Sequence, residues 1–400
     1  MATESDKLAL VLPGGGARCA FQVGVLKAIA ELLPRTAHNP FNILSGTSAG
    51  AINATVVASK ARRLRFAAQE LERVWGGFQA EHVFRSDSWT MFKTSTHWLA
   101  ALVLGGLGPR NPRSLLDNAP LRDLLKRNVP FDSIQRGIDR GYLDALAVTA
   151  AGYSSARSVS FYQALPRKLP WQRTRRIGIR VPINLDHLMA SIAVPMVFPP
   201  QLIDGEYYGD GAMRQATPLS PAVNLGADRI LVIGVRNELA SPAADPSGAS
   251  EFPSFGQIAG YMLDTLFLDG LYSDLERLSR INTLLDAVKP QHRKGVASRL
   301  RPIDCMIIVP SRDLRSVAAE HAASLPKSVR LLLRGVGGRH YERNRLLSFL
   351  LFESGFTKAL IKLGYDDAMR VREPLTEFLT GANVPRLFAP RWLSRDLTSL

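Results

Sequence analysis

Two glycine-rich turns, each placed between a predicted strand and a predicted helix, constrain the fold of this chain more than any other feature. The first, at 14–16, follows an apolar run at 7–12, and the second, at 46–50, follows a shorter run at 41–44. Apolar residues then recur at helical spacing after each turn. Two strand–turn–helix units so close together predict an α/β protein whose strands are buried in a central sheet.

The rest of the chain continues this pattern less regularly. Residues 80–140 show no clear periodicity and are expected to form the lid side of a site. A hairpin is predicted over 201–208, with Asp204 and Gly205 in a type I′ turn. Further strands are expected at 144–149, 158–162, 229–235 and 304–309, and helices at 17–33, 49–60, 62–78, 187–193, 255–288 and 346–369.

Length and composition suit a globular protein with a large core, because the 400 residues are 46% hydrophobic. Cys19 and Cys305 are too few for a disulfide framework or a zinc site, which favours a reducing, cytoplasmic compartment. The apolar run near the N-terminus is too short for a signal peptide, and no stretch reaches the roughly 18 residues of a spanning helix. The nearest, at 98–107, is expected to be a buried helix or flap, or alternatively an apolar lid or a segment that lies at a membrane interface.

The chain carries a net charge of +15, and so basic a surface favours a polyanionic partner. No acidic residue lies between Asp144 and Asp186, and basic residues again outnumber acids over 293–345. Basic residues around Trp171 would suit single-stranded nucleic acid, anionic headgroups or a merely solvated surface. Because no nucleic-acid-binding motif accompanies them, nucleic acid is not expected, and the sequence favours peripheral binding to an anionic membrane.

Ser48 lies at the centre of the second turn, in the order Gly46-Thr47-Ser48-Ala49-Gly50. This spacing is typical of a nucleophile elbow, in which a sharp strand-to-helix turn pushes the serine hydroxyl out of the sheet edge. Gly46 and Gly50 lack the Cβ atoms that would clash where strand and helix converge. The free N–H groups at the start of the helix favour developing negative charge. We therefore predict that Ser48 is a nucleophile.

The first turn supplies a second requirement of acyl transfer. Gly14, Gly15 and Gly16 offer consecutive backbone N–H groups, which can bind the oxyanion of a tetrahedral intermediate. Arg18 would add positive charge there or brace the loop. A dinucleotide fingerprint would need glycine where Cys19 stands, and no Gly-Lys-Ser/Thr sequence completes a phosphate-binding loop, so nucleotide binding is disfavoured.

A serine nucleophile needs a group that takes its proton, and the histidines are poorly placed for this. None of them lies in a loop with other chemical groups, so a structural or solvated histidine is the preferred interpretation of each. Asp210 instead follows the return strand of the predicted hairpin, between Gly209 and Gly211, whose small size lets a carboxylate project into a crowded site. We predict that Asp210 is the base, and partial burial would help by raising its pKa.

Taken together, these motifs make the sequence resemble the patatin-like phospholipases, including the bacterial members. Three blocks match in order: Gly14 to Arg18 for the glycine-rich oxyanion loop, Gly46 to Gly50 for the serine elbow, and Asp210 to Ala212 for the Asp-Gly-Gly/Ala motif. The run at 193–200 resembles the segment that precedes this last motif, and 346–369 more faintly resembles a closing helix.

The resemblance implies a three-layer α/β/α core and hydrolysis of lipid acyl esters by a Ser–Asp dyad, with no cofactor and no metal. It implies that Ser48 attacks the ester carbonyl, while Ala49 joins Gly15 and Gly16 in the oxyanion hole. The expected substrate is a membrane phospholipid or lysophospholipid. Acyl transfer to another acceptor by the same acyl-enzyme, and a non-catalytic lipid-binding module, are the alternatives.

The same patterns predict how the chain is divided. A patatin-like catalytic core would occupy 7–236, and a linker rich in Ala, Ser, Pro and Gly would occupy 237–254. A mainly helical extension over 255–400 would follow, with its strand near 304–309 returning to the core. The sequence does not indicate whether a protein activator is required.

Overall fold

The central sheet is mostly parallel. A computed structural model describes residues 6–85, 114–236, 270–288, 300–326, 330, 347–382 and 386–393. Its strands are Leu8–Leu12 (β1), Ile43–Thr47 (β2), Ala145–Gly152 (β3), Ser158–Ala164 (β4), Trp171–Gln172 (β5), Arg176–Arg180 (β6), Gln201–Ile203 (β7), Glu206–Asp210 (β8), Arg229–Ile233 (β9), Asp304–Ile308 (β10) and Leu387–Phe388 (β11). They form one sheet in the order β11-β10-β9-β1-β2-β3-β4-β6-β5. The hairpin of β7 and β8 joins it through β3.

Helices cover both faces of this sheet. They are Ala20–Leu32 (α1), Ala49–Ser59 (α2), Leu64–Gly76 (α3), Ala80–Val83 (α4), Ala119–Asn128 (α5), Asp132–Asp139 (α6), Leu185–Ser191 (α7), Ser220–Leu225 (α8), Leu271–Ala287 (α9), Leu314–Glu320 (α10), Ser354–Arg370 (α11) and Arg372–Thr380 (α12). In the described part of the chain, none of them combines the length and apolar character needed to cross a membrane.

Alternate residues of the strands enter two separate cores, as the pleat of a sheet requires. Leu10 of β1 faces the larger core, which contains α1, α2, α3 and α11. Val11 faces the smaller core, which contains residues of α8 and α9. The central strands β1 and β9 are buried on both faces, so they read as nearly continuous apolar runs. This arrangement confirms the predicted three-layer α/β/α core.

The C-terminal region packs tightly on the core. α11 lies against α1, and the two helices approach closely because each carries a glycine at the contact. A Cβ on Gly24 would lie 1.9 Å from the carbonyl oxygen of Ile361, and one on Gly364 would lie 2.1 Å from that of Phe21. β10 pairs with β9 and extends the same sheet. The division of the chain into core, linker and extension remains a prediction, since the proposed linker lies outside the described residues.

Two sequence predictions of local structure are wrong. Residues 80–140 are not irregular where they are described, because α4, α5 and α6 lie there. The helix expected over 346–369 is broken at residues 351–353 and begins again at Ser354. The break lets the preceding segment pack on the glycine loop, where a Cβ on Gly16 would lie 2.3 Å from the carbonyl oxygen of Phe349. The segment 98–107 and residues 255–269 lie outside the described residues.

The predicted hairpin turn is confirmed. Asp204 has φ 47° and Gly205 has φ 83°, as a type I′ turn between β7 and β8 requires. The turn fixes the register of β8, which ends at Asp210. The two residues of this turn therefore determine where the carboxyl group of Asp210 is placed.

Candidate active site

Ser48 occupies a strained turn between β2 and α2. Its backbone has φ 54° and ψ −135°, a conformation that residues other than glycine rarely adopt. The start of α2 also packs closely on the end of β1, since a Cβ on Gly50 would lie 2.2 Å from the carbonyl oxygen of Leu12. Ser48 is only 3% exposed. The sequence-predicted elbow therefore has the geometry that presents a serine hydroxyl at the end of a strand.

Ser191, at the end of α7, holds the turn in place. The backbone N–H of Ser48 donates to Ser191 Oγ at 2.9 Å. Ser191 Oγ in turn donates to the carbonyl oxygen of Thr149 on β3 at 2.7 Å. The role of Ser191 was not predicted from the sequence. Its partner lies 143 positions away, and the helix pattern over 187–193 does not show which of its residues make such distant contacts.

Asp210 is brought to Ser48 by strand register. β2 pairs with β3 so that Thr47 lies beside Thr149. β8 pairs with β3 so that Asp210 lies beside Ala150. Ser48 and Asp210 therefore meet at the end of one shared strand. Gly211 allows the approach, since a Cβ there would lie 2.2 Å from the carbonyl oxygen of Thr149.

The Asp210 carboxyl group is almost completely buried, with 1% of the residue exposed. Burial raises its pKa to about 7, although hydrogen bonding from the Ser48 hydroxyl and the Ala212 N–H lowers it. Oδ1 accepts the Ala212 N–H at 2.9 Å. Oδ2 has no hydrogen-bond partner among the described residues, although the Ser48 hydroxyl is near enough to the carboxyl group to lower its pKa. The carboxyl thus keeps one oxygen available for a proton near neutral pH.

The glycine loop lies directly beside Ser48. A Cβ on Gly14 would lie 2.7 Å from Ser48 Cβ, so only glycine fits at this position. Gly16 has φ 55° and lines the same cavity as Ser48 and Ala49. In the described part of the chain, no hydrogen bond occupies the N–H groups of Gly14, Gly15 or Gly16. The loop therefore lies beside Ser48 and the start of α2, and such clusters of backbone N–H groups favour negative charge.

Arg18 is buried, with 3% exposure, and fastens the glycine loop to the C-terminal region. Its Nε and Nη2 atoms donate to Ser348 Oγ at 2.9 and 2.6 Å. Its guanidinium carbon lies 3.8 Å from the centre of the Phe349 ring. Of the two roles that the sequence left open, these contacts favour bracing of the loop, because the guanidinium is directed at Ser348 and Phe349.

The described histidines have structural contacts away from Ser48. Nδ1 of His82 and of His187 each accepts an N–H at the start of a short helix, from Gln79 and Asn184 respectively. His187 also packs on Phe161, with ring centres 4.6 Å apart. Among the described residues, no histidine lines the cavity that contains Ser48, and no group of His, Cys, Asp and Glu is arranged to hold a metal ion. His97, His292 and His340 lie outside the described residues.

A largely apolar cavity opens from Ser48 into the space between α2, α3 and α5. Ala49, Ile52 and Val56 line it from successive turns of α2. Apolar residues of α3, α5, the 192–198 segment and the 349–352 segment complete the wall: Leu71, Val74, Trp75, Phe78, Leu121, Leu124, Leu125, Ile192, Val194, Val197, Phe198, Phe349, Leu350 and Phe352. The contribution of α5 to this wall was not predicted, although the spacing of its leucines is a helical signal. A long hydrocarbon chain is the natural ligand of such a cavity.

Trp171 is not available to stack on a ligand in the way the basic segment suggested. Its ring stacks on Tyr162, with centres 4.9 Å apart, and covers Gly178. The arginines around it are more exposed: Arg167, Arg173, Arg175 and Arg180. Leu169, in the same segment, is 78% exposed. This edge of the sheet therefore combines positive charge with an exposed aliphatic side chain.

A strained serine beside free backbone donors, with an apolar cavity in front of it, is characteristic of an enzyme that hydrolyses lipid esters. The family model for patatin-like phospholipases matches residues 10–223. This match covers more than half of the chain, and the chain belongs to the patatin-like phospholipase family. It is accordingly a lipid ester hydrolase. No curated protein matched the chain.

Three solved structures share a distant likeness with the whole chain. VipD from Legionella pneumophila is 14% identical, with a TM-score of 0.36, over 95% of this chain and 67% of its own. Human GIVD cytosolic phospholipase A2, in complex with methyl gamma-linolenyl fluorophosphonate, is 12% identical, with a TM-score of 0.37, over 94% and 60%. The type III effector protein ExoU is 14% identical, with a TM-score of 0.25, over 93% and 79%. This chain thus spans 60% of the length of the human structure.

Proposed function

We propose that this protein is a serine phospholipase or lysophospholipase in which Ser48 is the nucleophile and Asp210 is the general base. The observation that carries the proposal is the contact of the Ser48 hydroxyl with a fully buried carboxyl group whose pKa lies near 7. A carboxyl with its ordinary pKa of about 4 would be too weak a base to accept a serine proton efficiently. Burial makes Asp210 a stronger base at neutral pH.

The reaction would begin when Ser48 Oγ attacks the ester carbonyl carbon and its proton passes to Asp210. The carbonyl oxygen becomes an oxyanion, which the N–H groups of Gly15, Gly16 and Ala49 would stabilise, with Gly14 shaping the loop. When the C–O bond breaks, protonated Asp210 gives its proton to the leaving alcohol oxygen. One lost oxyanion donor would lower kcat by about 10²–10³.

Hydrolysis of the acyl-enzyme would repeat these steps with water. Asp210 takes a proton from the water molecule as the water oxygen attacks the acyl carbon. Collapse of the second tetrahedral intermediate breaks the bond to Ser48 Oγ, which recovers the proton, and releases the fatty acid. If an alcohol took the place of water, the product would be a new ester, so added lysolipid or alcohol separates hydrolase from acyltransferase by product analysis.

The apolar cavity would hold the acyl chain of the substrate. Its lining on α2 begins at Ala49, next to the nucleophile, so a chain entering it would leave the ester group at Ser48. The headgroup would remain towards solvent. This placement favours membrane phospholipids and lysophospholipids as substrates over short, water-soluble esters.

We further propose that the enzyme binds peripherally to anionic membranes through the edge of the sheet near β5 and β6. Arg167, Arg173 and Arg175 are exposed there, and Leu169 projects among them. Each arginine close to an anionic membrane surface contributes about 1 kcal/mol to binding, and salt weakens this attraction by screening it. Sedimentation with anionic vesicles should exceed that with neutral vesicles and fall at high salt; equal binding to both would contradict the proposal.

The function is tested by release of fatty acid from a defined phospholipid. Wild type should release it, whereas Ser48→Ala and Asp210→Asn should not. Turnover by either variant at the wild-type rate would exclude that residue from its proposed role. A fluorophosphonate probe that labels neither wild type nor variants would instead indicate a lipid-binding module without catalysis.

A further inference from the structure

The acyl cavity contains polar side chains at a distance from Ser48. Glu70 on α3 and Asn128 at the end of α5 belong to its lining, although the residues around them are apolar. Arg73 joins these two groups: its Nη2 donates to Glu70 Oε1 at 2.6 Å and to Asn128 Oδ1 at 3.3 Å. Glu70, Arg73 and Asn128 therefore form a connected polar cluster, which we call the end cluster, at the boundary of an otherwise apolar space.

The pairing of α2 with α3 shows how far the end cluster lies from the nucleophile. Trp75 Nε1 donates to Asn53 Oδ1 at 2.9 Å, and α3 returns along α2 after a short turn. Glu70 precedes Trp75 by five residues, so it lies about five residues beyond Asn53, on the side away from Ser48. With a helical rise of 1.5 Å per residue, Glu70 is on the order of 15 Å from Ser48 along the cavity.

Beyond the end cluster the surroundings change from apolar to cationic. Glu70 and Arg73 also line a separate surface cleft that contains Lys60, Arg63 and Arg136. The ion pair of Glu70 and Arg73 is thus part of the wall between the buried cavity and an open cleft lined by basic residues. Hydrogen bonding with Arg73 lowers the pKa of Glu70, so the carboxylate is ionised at neutral pH.

We propose that the end cluster terminates the acyl-binding cavity and sets the longest fatty acyl chain that the enzyme prefers. The proposal rests on the function of Ser48 proposed above. A methylene group cannot replace any hydrogen bond of the cluster, and contact with hydrocarbon would remove water from an ionised carboxylate. Chain carbons that reach the cluster gain nothing from burial, while all carbons before it do.

The expected limit follows from the length of the cavity. The limit should be the chain length at which the hydrocarbon first reaches the end cluster, on the order of 15 Å from Ser48. Up to that point each added methylene should raise kcat/KM, by at most about fourfold, the value for transfer of one CH₂ group out of water. At longer chain lengths kcat/KM should level off or fall, and we call the chain length at which this change occurs the break.

The test compares kcat/KM for p-nitrophenyl esters from butyrate to palmitate, presented at a fixed mole fraction in neutral detergent micelles. In Glu70→Ala the break should move to longer chains, and the ratio of palmitate to octanoate turnover should rise by about tenfold or more. Using this ratio removes differences in the amount of active enzyme. Val56→Phe, which fills the cavity before the cluster, should move the break to shorter chains.

Glu72→Ala is the matched control. Glu72 lies on the same helix and pairs with Lys27 at 2.7 Å, yet it does not line the cavity. Its chain-length profile should equal that of wild type. An unchanged break in Glu70→Ala overturns the proposal, whether or not Val56→Phe shifts it. Failure of the underlying function would look different, because wild type and Ser48→Ala would then hydrolyse every ester equally.

Discussion

Ser48 and Asp210 reach one point from two strands that both pair with β3: Thr47 lies beside Thr149, and Asp210 lies beside Ala150. A parallel strand that ends in an elbow and an antiparallel hairpin that ends in a carboxyl group thus meet at the same place on the sheet. Rigid strands, rather than loops, set the distance between the two side chains. Such placement favours a site that needs little rearrangement before reaction.

The strain at Ser48 should be measurable as stability. Replacement by glycine removes the unfavourable φ of 54°, whereas replacement by alanine retains it. We expect the free energy of unfolding of Ser48→Gly to be about 1 kcal/mol higher than that of Ser48→Ala. Both variants should be inactive. Chemical denaturation of the two variants measures the difference. Equal stability would mean that the turn is not strained.

The raised pKa of Asp210 predicts a cost in stability. Its carboxyl titrates near 3.8 when exposed and near 7 in the folded protein, so the folded state binds the extra proton between these values. The free energy of unfolding should therefore fall as pH rises through this range, by up to about 4 kcal/mol from this group. Asp210→Asn should lack this fall and be more stable than wild type above pH 7. Identical pH dependence in both proteins would contradict the assigned burial effect.

Ser191 should affect the rate through its hold on the elbow. Ser191→Ala leaves the Ser48 N–H and the Thr149 carbonyl without their shared partner, at a cost of about 1–3 kcal/mol in unfolding free energy. We expect kcat to fall about tenfold while KM changes little, because the acyl cavity is untouched. Ser191→Thr keeps the hydroxyl and should recover part of the rate. A loss of stability with unchanged kcat would reduce Ser191 to a structural role.

Arg18 offers a way to separate charge from bracing. Lysine retains the positive charge but cannot donate from two nitrogens to Ser348 or stack on Phe349 in the same way. We therefore expect Arg18→Lys and Arg18→Met to lose similar stability and similar kcat. Steady-state kinetics and thermal unfolding of both variants provide the comparison. High activity in Arg18→Lys alone would favour an electrostatic role.

The parts of the site that depend on local turn chemistry were predictable from sequence. Ser48 and the glycines around it have the spacing of an elbow, and Asp210 follows a turn whose residues define its type. Ser191, Ser348 and Glu70 were not predictable, because each acts through a contact with a distant part of the chain. The Arg18–Ser348 contact joins residues 330 positions apart. Periodicity reports which face of a helix is buried but does not report what that face meets.

The secondary-structure elements likewise divide into those that the sequence predicted and those that it did not. β1 to β4, β9, β10 and α1 to α3 carry apolar patterns and lie close to their predicted positions, whereas β5, β6 and β11 were not predicted. α5 is ten residues long and mixes leucines with charged residues, so its pattern was overlooked. Its leucines form part of the cavity beside Ser48. The chemistry of the site was thus more visible in the sequence than the shape of the pocket that would select its substrate.

The rate at which a fluorophosphonate labels Ser48, measured against pH in wild type and Asp210→Asn, tests the central claim most directly. In wild type the rate should rise with pH and level off above about 7, as the Asp210 carboxyl loses its proton. In Asp210→Asn the rate should lie below the wild-type plateau by about 10² or more and should not rise between pH 5 and 8, because no carboxyl group titrates there. Labelling of Asp210→Asn at the wild-type rate, or a wild-type rate that does not change between pH 5 and 8, would contradict activation of Ser48 by Asp210.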